Sequence, residues 1–179
     1  MGKDLPGLGS TTPSPWVVKH AELIPAGGRV LDLACGKGRH TRYLLDQGYQ
    51  VTAVDIDLTS IADLEGKRGL TTLQADLEGD EWPFQERQFD GVVVTCYLHR
   101  PILPAIIAAV APGGVLIYET FAMGNEKYGR PESPDFLLKP GELLDAVAGK
   151  LTVMGYGHGF SEKPKPGVRQ RIAAIRDIS

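Results

Sequence analysis

The chain has 179 residues, 42% of them hydrophobic and 23% charged, the make-up of one globular domain with a single sizeable core. A net charge of −3, from 19 basic and 22 acidic side chains, argues against an obligate nucleic-acid partner, and two cysteines without CxxC spacing argue against a metal site. The N-terminus lacks the apolar core of a signal peptide and the longest apolar run, near 102–110, is broken by Pro104, so a cytoplasmic protein without a membrane span is expected.

Residues 1–15, rich in Gly, Pro, Ser and Thr, read as a loose arm, and residues 16–179 as one domain. A short helix is expected over 16–24, with Ser14 as its cap and Pro15 at its first position. Arg29 to Ala34 reads as a buried strand, and Gly36 and Gly38 turn it into a helix over 39–47 that Gly48 stops. Tyr43, Leu44 and Leu45 face inward on that helix, and His40 reads as a partly exposed residue on its first turn. A second strand over 49–54 ends in Asp55-Ile56-Asp57, a helix follows over 58–67, and a third strand over 69–75 ends in Asp76. Asp57 reads as a helix cap or a solvated loop residue. A polar connection over 78–88 leads to the most strand-like run, 90–96, and then to a helix over 102–110. Pro112-Gly113-Gly114 reads as a tight turn before a fifth strand over 115–121. The long loop 122–140 precedes a helix over 141–148 and two strand candidates, 151–156 and 171–178. Strands alternating with helices predict an α/β, doubly wound sheet, and the last two strands an antiparallel hairpin at its edge. Ligands of such sheets sit beyond the carboxyl ends of the strands, where Asp32 to Gly38, Asp55, Asp76 and Thr95 to His99 all fall.

The turn itself narrows the ligand. A dinucleotide-binding turn has Gly-x-Gly-x-x-Gly, and here Thr41 replaces the third glycine. Asp32, just before the turn, would oppose a pyrophosphate and welcome an ammonium or sulfonium. S-adenosylmethionine carries both, and no phosphate. Its methionine end would lie on the turn near Asp32, its ribose on Asp55 beside Ile56, and its adenine amino group on Asp76, between Ala75 and Leu77. Ala34, Cys35, Gly36, Gly38, Thr95 and Cys96 would complete the cofactor site, and as side chains both cysteines read as small apolar filler.

On these residues the sequence resembles the class I S-adenosylmethionine-dependent methyltransferases over nearly its whole length. Val30 to Gly38 is similar to the family's Asp-x-Gly-x-Gly-x-Gly loop, with Ala34 at its first glycine. Val54-Asp55 resembles the ribose acid and Ala75-Asp76 the adenine acid. Phe89 to Val93 and Pro112 to Leu116 resemble the fourth strand and the turn before the fifth. The resemblance implies a Rossmann-like seven-stranded sheet in the order 3-2-1-4-5-7-6 with strand 7 antiparallel. It also implies a first helix, with Trp16, that closes over the cofactor. In size and layout the chain is similar to small bacterial methyltransferases of the tellurite-resistance type.

What remains to receive a methyl group is the strand-4 end, the N-terminal arm and the long loop. Substrate-site candidates are Tyr97, His99, Tyr118, Glu119, Tyr128 and Arg130. His99 suits a general base or a helix entry. A sulfonium is already an activated leaving group, so alignment can supply much of the rate, and no catalytic residue is assigned. The expectation is methyl transfer to a small-molecule acceptor by in-line displacement. A binding module without activity and a nicotinamide-dependent oxidoreductase are the rival readings, and the acceptor and oligomeric state are not legible.

Overall fold

The computed structural model describes residues 11–79 and 81–178. Most of the expected arm, residues 1–10, lies outside the described residues. The described chain runs α1 (Pro15–Ala21), β1 (Arg29–Leu33), α2 (Arg39–Asp46), β2 (Gln50–Asp55), β3 (Leu70–Gln74), β4 (Phe89–Thr95), α3 (Leu103–Ala108), β5 (Val110–Phe121), α4 (Glu142–Val147), β6 (Thr152–Ser161) and β7 (Gly167–Ile175). The seven strands form one sheet in the order β3-β2-β1-β4-β5-β7-β6. β1 to β5 pair in parallel, and β7 runs antiparallel to both β5 and β6. The strand order and the antiparallel seventh strand are those the resemblance implied.

The two-residue period of the strands divides the core between two faces. Val30, Val51, Val93, Val115 and Ile117 face one side, under Val17 of α1, Ile24 and Leu44 of α2. Leu31, Leu33, Val92, Val94, Leu116 and Tyr118 face the other, under Ile106 of α3, Leu143 of α4 and the ring of Phe84. Central strands covered twice read as continuous apolar runs, which is why β1 and β4 were plain in the sequence.

Several boundaries differ from expectation, each for a local reason. α1 stops at Ala21, where the Tyr49 hydroxyl takes the Ala21 carbonyl at 2.9 Å. The segment expected as a helix over 58–67 is a 3-10 helix, Thr59–Leu64, ended by Gly66 at φ +76°. Leu58 is its N-cap, and Asp57 just before accepts from the Thr59 backbone at 2.9 Å and hydroxyl at 2.8 Å. Pro112-Gly113-Gly114 is not a turn between elements but part of β5, which shifts register between Phe89 and Gly91. Residues 111–114 bulge out of the pairing with β4, and Arg176, just after β7, fastens the bulge, the Gly113 amide donating to the Arg176 carbonyl at 2.7 Å. The hairpin strands are longer or begin earlier than the sequence suggested, β6 reaching Ser161 and β7 starting at Gly167.

The long loop is held down along its length. Arg100 pairs with both oxygens of Glu142, at 2.6 and 3.0 Å, and donates to the carbonyls of Pro134, Asp135 and Leu137. Asn125, 2% exposed, donates to the Pro131 carbonyl and accepts from the Val168 amide. Gln170 of β7, fully buried, ties the Leu143 amide to the Lys139 carbonyl.

Candidate active site

β1 ends where its neighbours diverge, β2 on one side and β4 on the other, the place where doubly wound sheets open a crevice. Ala34 after β1 and Cys96 after β4 both adopt positive φ, +54° and +53°. Such a backbone costs a residue with a Cβ of order 1 kcal/mol or more, and its occurrence at two adjacent strand ends marks a rim shaped for use. Gly36 (φ +54°) and Gly38 (φ +76°) complete the turn. At Gly38 a Cβ would come within 2.5 Å of Ile61 Cγ2, so side-chain space and backbone both require glycine. The turn is anchored by the Cys35 amide on the Val54 carbonyl (3.0 Å) and by the Gly36 amide on Asp55 Oδ2 (2.9 Å).

Three carboxylates stand at three strand ends. Asp55 accepts from Gly36 and, at 3.1 Å, from the Asp57 amide, which leaves two of its roughly four acceptor positions. Asp76 Oδ1 accepts the Glu78 amide at 2.9 Å, with Leu77 nearly buried beside it and Ile56 of the β2 end 56% exposed. Asp32 lies beneath the turn rather than open on it. It is 2% exposed and accepts the Thr41 hydroxyl at 2.6 Å. Burial, against the pull of Thr41, pushes its pKa from 3.8 up to about 6. No cation lies within ion-pair distance of Asp32 among the described residues.

This donor and acceptor set fits S-adenosylmethionine better than a phosphate ligand. Carboxylates at three ends repel a pyrophosphate, and a buried carboxylate whose charge is disfavoured gains from an ammonium. A second observation agrees. The Tyr97 hydroxyl is buried without a hydrogen-bond partner. Burial, followed by the charges of Glu78, Asp76 and Asp55, drives its pKa upward, so it stands as a protonated donor beside the carboxylates read as nucleoside ligands.

His40, expected to be partly exposed, is 3% exposed, because residues 13–16 pass over the first turn of α2. Its Nε2 accepts the Ser14 amide at 3.0 Å, and its Nδ1 lies 3.2 Å from Thr95 Oγ1. A neutral imidazole accepting at Nε2 carries its proton on Nδ1, so it donates to Thr95. Burial, reinforced by Arg39, pushes its pKa down to about 3. Ser14 also caps α1 and donates its hydroxyl to Glu119 Oε1 at 2.6 Å. Three strand or helix ends are thus tied to one serine. His40→Ala strands a buried amide and a buried hydroxyl, with an expected loss of about 2 to 3 kcal/mol in urea unfolding and faster amide exchange across Trp16–Ala21. Unchanged stability would sink this account of the tie.

Beyond the rim, a cleft of about 620 Å³ opens between residues 12–16, β5, β7 and the β6–β7 connection. It begins at the glycine turn, where Arg39 reaches Cys96 Sγ (3.9 Å) and the Thr12 carbonyl (3.2 Å). Its charged lining is Lys19, Arg39, Lys163, Arg169 and Arg171 against Glu119. Arg171 Nε lies 2.9 Å from Glu119 Oε2, in ion-pair contact without hydrogen-bond alignment. A smaller cleft of about 170 Å³ opens at the opposite ends of β1 to β3, beside Arg29 and Arg87, away from this rim.

The candidates from sequence fall in different places. Glu119 lines the cleft, and Tyr97 faces the carboxylates. Tyr118, one residue from Glu119, points to the other face of β5. It is 1% exposed and donates to the Tyr97 carbonyl at 2.7 Å, which makes it a core residue. His99 caps the 3-10 turn Arg100–Ile102, its carbonyl accepting the Ile102 amide, and it does not line the cleft. Tyr128 rests on the Phe160 ring of β6, centroids 4.8 Å apart, and Arg130 is exposed, so neither covers the cleft. Cys35 is buried filler, whereas Cys96 is half-buried and lines the cleft. Arg39, Arg169 and Arg171 were not singled out from the sequence. Two signals pointed to the last pair. They alternate on a strand that lies inside the sheet, and Gly157 and Gly159 of β6 stand opposite them. A Cβ at Gly157 would crowd Arg171 Cγ at 3.3 Å.

Comparison with known proteins bears on the fold and the domain. A family model described as a methyltransferase domain matches residues 30–114. The malonyl-[acyl-carrier protein] O-methyltransferase of Enterobacter lignolyticus is 34% identical over 100 residues, 52% of this chain and 39% of that protein. The 2-heptyl-1-hydroxyquinolin-4(1H)-one methyltransferase of Mycobacteroides abscessus is 26% identical over 186 aligned residues, 93% of this chain and 79% of that one. The chain spans about two fifths of the length of several curated relatives it matches. Among solved structures, TehB from Haemophilus influenzae superposes with a TM-score of 0.75 at 24% identity, over 94% of this chain and 64% of that one. Burkholderia thailandensis 1,6-didemethyltoxoflavin-N1-methyltransferase gives 0.70 at 20% identity, over 91% of this chain and 77% of that one. The domain match runs from β1 into β5 and the shared strand order carries the likeness on through β7, so residues 30–114 form a methyltransferase domain and the chain has the fold of the S-adenosylmethionine-dependent methyltransferases.

Proposed function

We propose that this chain transfers a methyl group from S-adenosylmethionine to a small-molecule acceptor held in the cleft beside the glycine turn. The observation that carries the reading is the meeting of the two sites. The 620 Å³ cleft begins at Arg39 and Cys96, the residues that also border the turn and the β4 end. When bound, the cofactor supplies a methyl group on a sulfonium, already activated for displacement. The chain's part is then to bind, align and exclude water. Gly36, Gly38 and Ala34 bring backbone close to the methionine end. Asp55 accepts from the ribose and Asp76 from the adenine amino group. Asp32 balances the ammonium from beneath, and Ile56, Ala75 and Leu77 flank the base. Residues 12–16, fastened by Ser14 to His40 and Glu119, wall the cleft on its open side. Glu119 is the acid in the cleft lining and already holds Ser14 and Arg171, so a role in orienting the acceptor suits it better than one in taking a proton.

Calorimetry with S-adenosylhomocysteine and with NAD, followed by an acceptor screen with methyl-labelled cofactor, tests the reading. Binding of S-adenosylhomocysteine, no binding of NAD, and label transferred to at least one small acceptor are expected. Tighter binding of NAD would overturn it, and cofactor binding without transfer to any acceptor would favour a binding module.

A further inference from the structure

We propose that the cleft takes acceptors carrying an oxyanion, such as a carboxylate, on a flat apolar body; the inference rests on the acceptor-cleft reading above and names the chemistry of the acceptor. The chain as a whole carries −3, yet five basic side chains and one acid line this cleft. Arg171 is matched by Glu119, so Lys19, Arg39, Lys163 and Arg169 remain as excess positive charge. Arg169 is the most telling. It is 6% exposed, and its only side-chain hydrogen bonds among the described residues run from Nη1, to Ser161 Oγ at 3.0 Å and the Lys165 carbonyl at 3.2 Å. Its Nε and Nη2 donors take no protein acceptor among the described residues, and no carboxylate lies within ion-pair distance. These donors stay open to the cleft while most of the side chain is buried, and their planar pair matches an oxyanion side-on. Burial lowers the pKa of Arg169.

The apolar walls complete the match. Phe121 lies 5.0 Å beneath the Arg169 guanidinium, and Trp16 5.8 Å from that of Arg171. Pro13, Pro15 and Pro164 close the sides. These rings hold the cations by their faces, and the half-buried Trp16 with the prolines leaves apolar wall for a ring or planar chain. Gly157, opposite on β6, keeps the Arg171 side chain unobstructed.

Titration calorimetry of the full chain with sodium benzoate and with benzamide, each with and without saturating S-adenosylhomocysteine, tests the proposal. Benzoate is expected to bind at least about tenfold more tightly than the isosteric neutral amide, and to weaken as salt rises. Arg169→Gln should lower benzoate affinity at least about tenfold, Arg169→Lys should restore part of it, and the exposed Lys163→Gln, which cannot disturb the core, should lower it about twofold. S-adenosylhomocysteine affinity should stay within about twofold in all three. Benzamide matching benzoate, or benzoate binding unaltered in both Arg169→Gln and Lys163→Gln, would overturn the proposal while a retained S-adenosylhomocysteine affinity left the methyltransferase reading standing. Loss of S-adenosylhomocysteine binding in the parent chain, with the benzoate preference intact, would do the reverse.

Discussion

Asp55→Ala is expected to weaken S-adenosylhomocysteine binding by about 100-fold or more. Two hydrogen bonds from ribose hydroxyls to an ionised carboxylate are worth about 1.5 to 3 kcal/mol each, and 1.4 kcal/mol is a tenfold change in affinity. The carboxylate has a second duty, because Oδ2 fixes the Gly36 amide and Oδ1 the Asp57 amide. Its removal therefore also loosens the turn, with an expected stability loss of about 1 to 2 kcal/mol in urea unfolding. Asp55→Asn separates the two duties. Its amide oxygen can still accept one backbone N–H, while the amide nitrogen faces a donor. A stability loss about half that of Asp55→Ala, with binding reduced nearly as far, is the expected pattern. Parent-like binding in both variants would remove the ribose from Asp55.

The second large effect is on pH dependence, and it arises from two buried groups that pull in opposite directions. Asp32, raised from 3.8 to about 6, holds its proton more tightly in the folded chain. Its contribution to stability is complete below about pH 4 and is lost as pH rises through 6, about 3 kcal/mol at 1.36 kcal/mol per pH unit. His40, lowered from 6.5 to about 3, refuses a proton in the folded chain. Its contribution is complete above about pH 6.5 and is lost as pH falls towards 3. Between about pH 4 and 6 the two slopes cancel. Asp32→Asn keeps an acceptor for Thr41 and removes one slope. The variant is expected to be more stable than the parent at pH 8, by up to about 3 kcal/mol. It should then lose about 1.4 kcal/mol more than the parent for each pH unit below 6. Urea midpoints of both proteins at pH 4, 5, 6 and 8 measure this, and carboxylates common to both drop out of the difference. Parallel curves would show that Asp32 titrates normally. The same substitution should weaken S-adenosylhomocysteine binding by about tenfold, since the ammonium loses its buried counter-charge. Extra stability with poorer binding is the trade expected of a functional buried charge.

The parts of the fold legible in the sequence were those set by neighbours along the chain. β1 and β4 announced themselves as apolar runs, the glycine turn by spacing, and the strand-end acids by position. The 3-10 helix at Thr59–Leu64 was misread because its apolar spacing suits either helix, and only length and Gly66 decide. His40 was misplaced because its cover comes from residues 13–16, which nothing near it in the sequence reveals. Tyr118 and Glu119 illustrate the general difficulty. Adjacent in sequence, they part to opposite faces of β5, one into the core and one into the cleft, and the face is decided by which residues of β7 lie beside them. Arg169 and Arg171 stayed hidden for the same reason, since their meaning comes from Phe121 and Glu119, some fifty residues earlier.

The position of β7 has a consequence for assembly. The rim of strand ends is made by residues up to Cys96, all on or just after strands that can pair as they emerge during synthesis. The cleft waits for Gly167–Ile175, which must slot between β5 and β6 already made. A nascent chain therefore carries this rim well before the cleft. Until β7 arrives, two unpaired strand edges stand where the arginines will be, the stretch of synthesis in which this protein is most in need of protection from its neighbours.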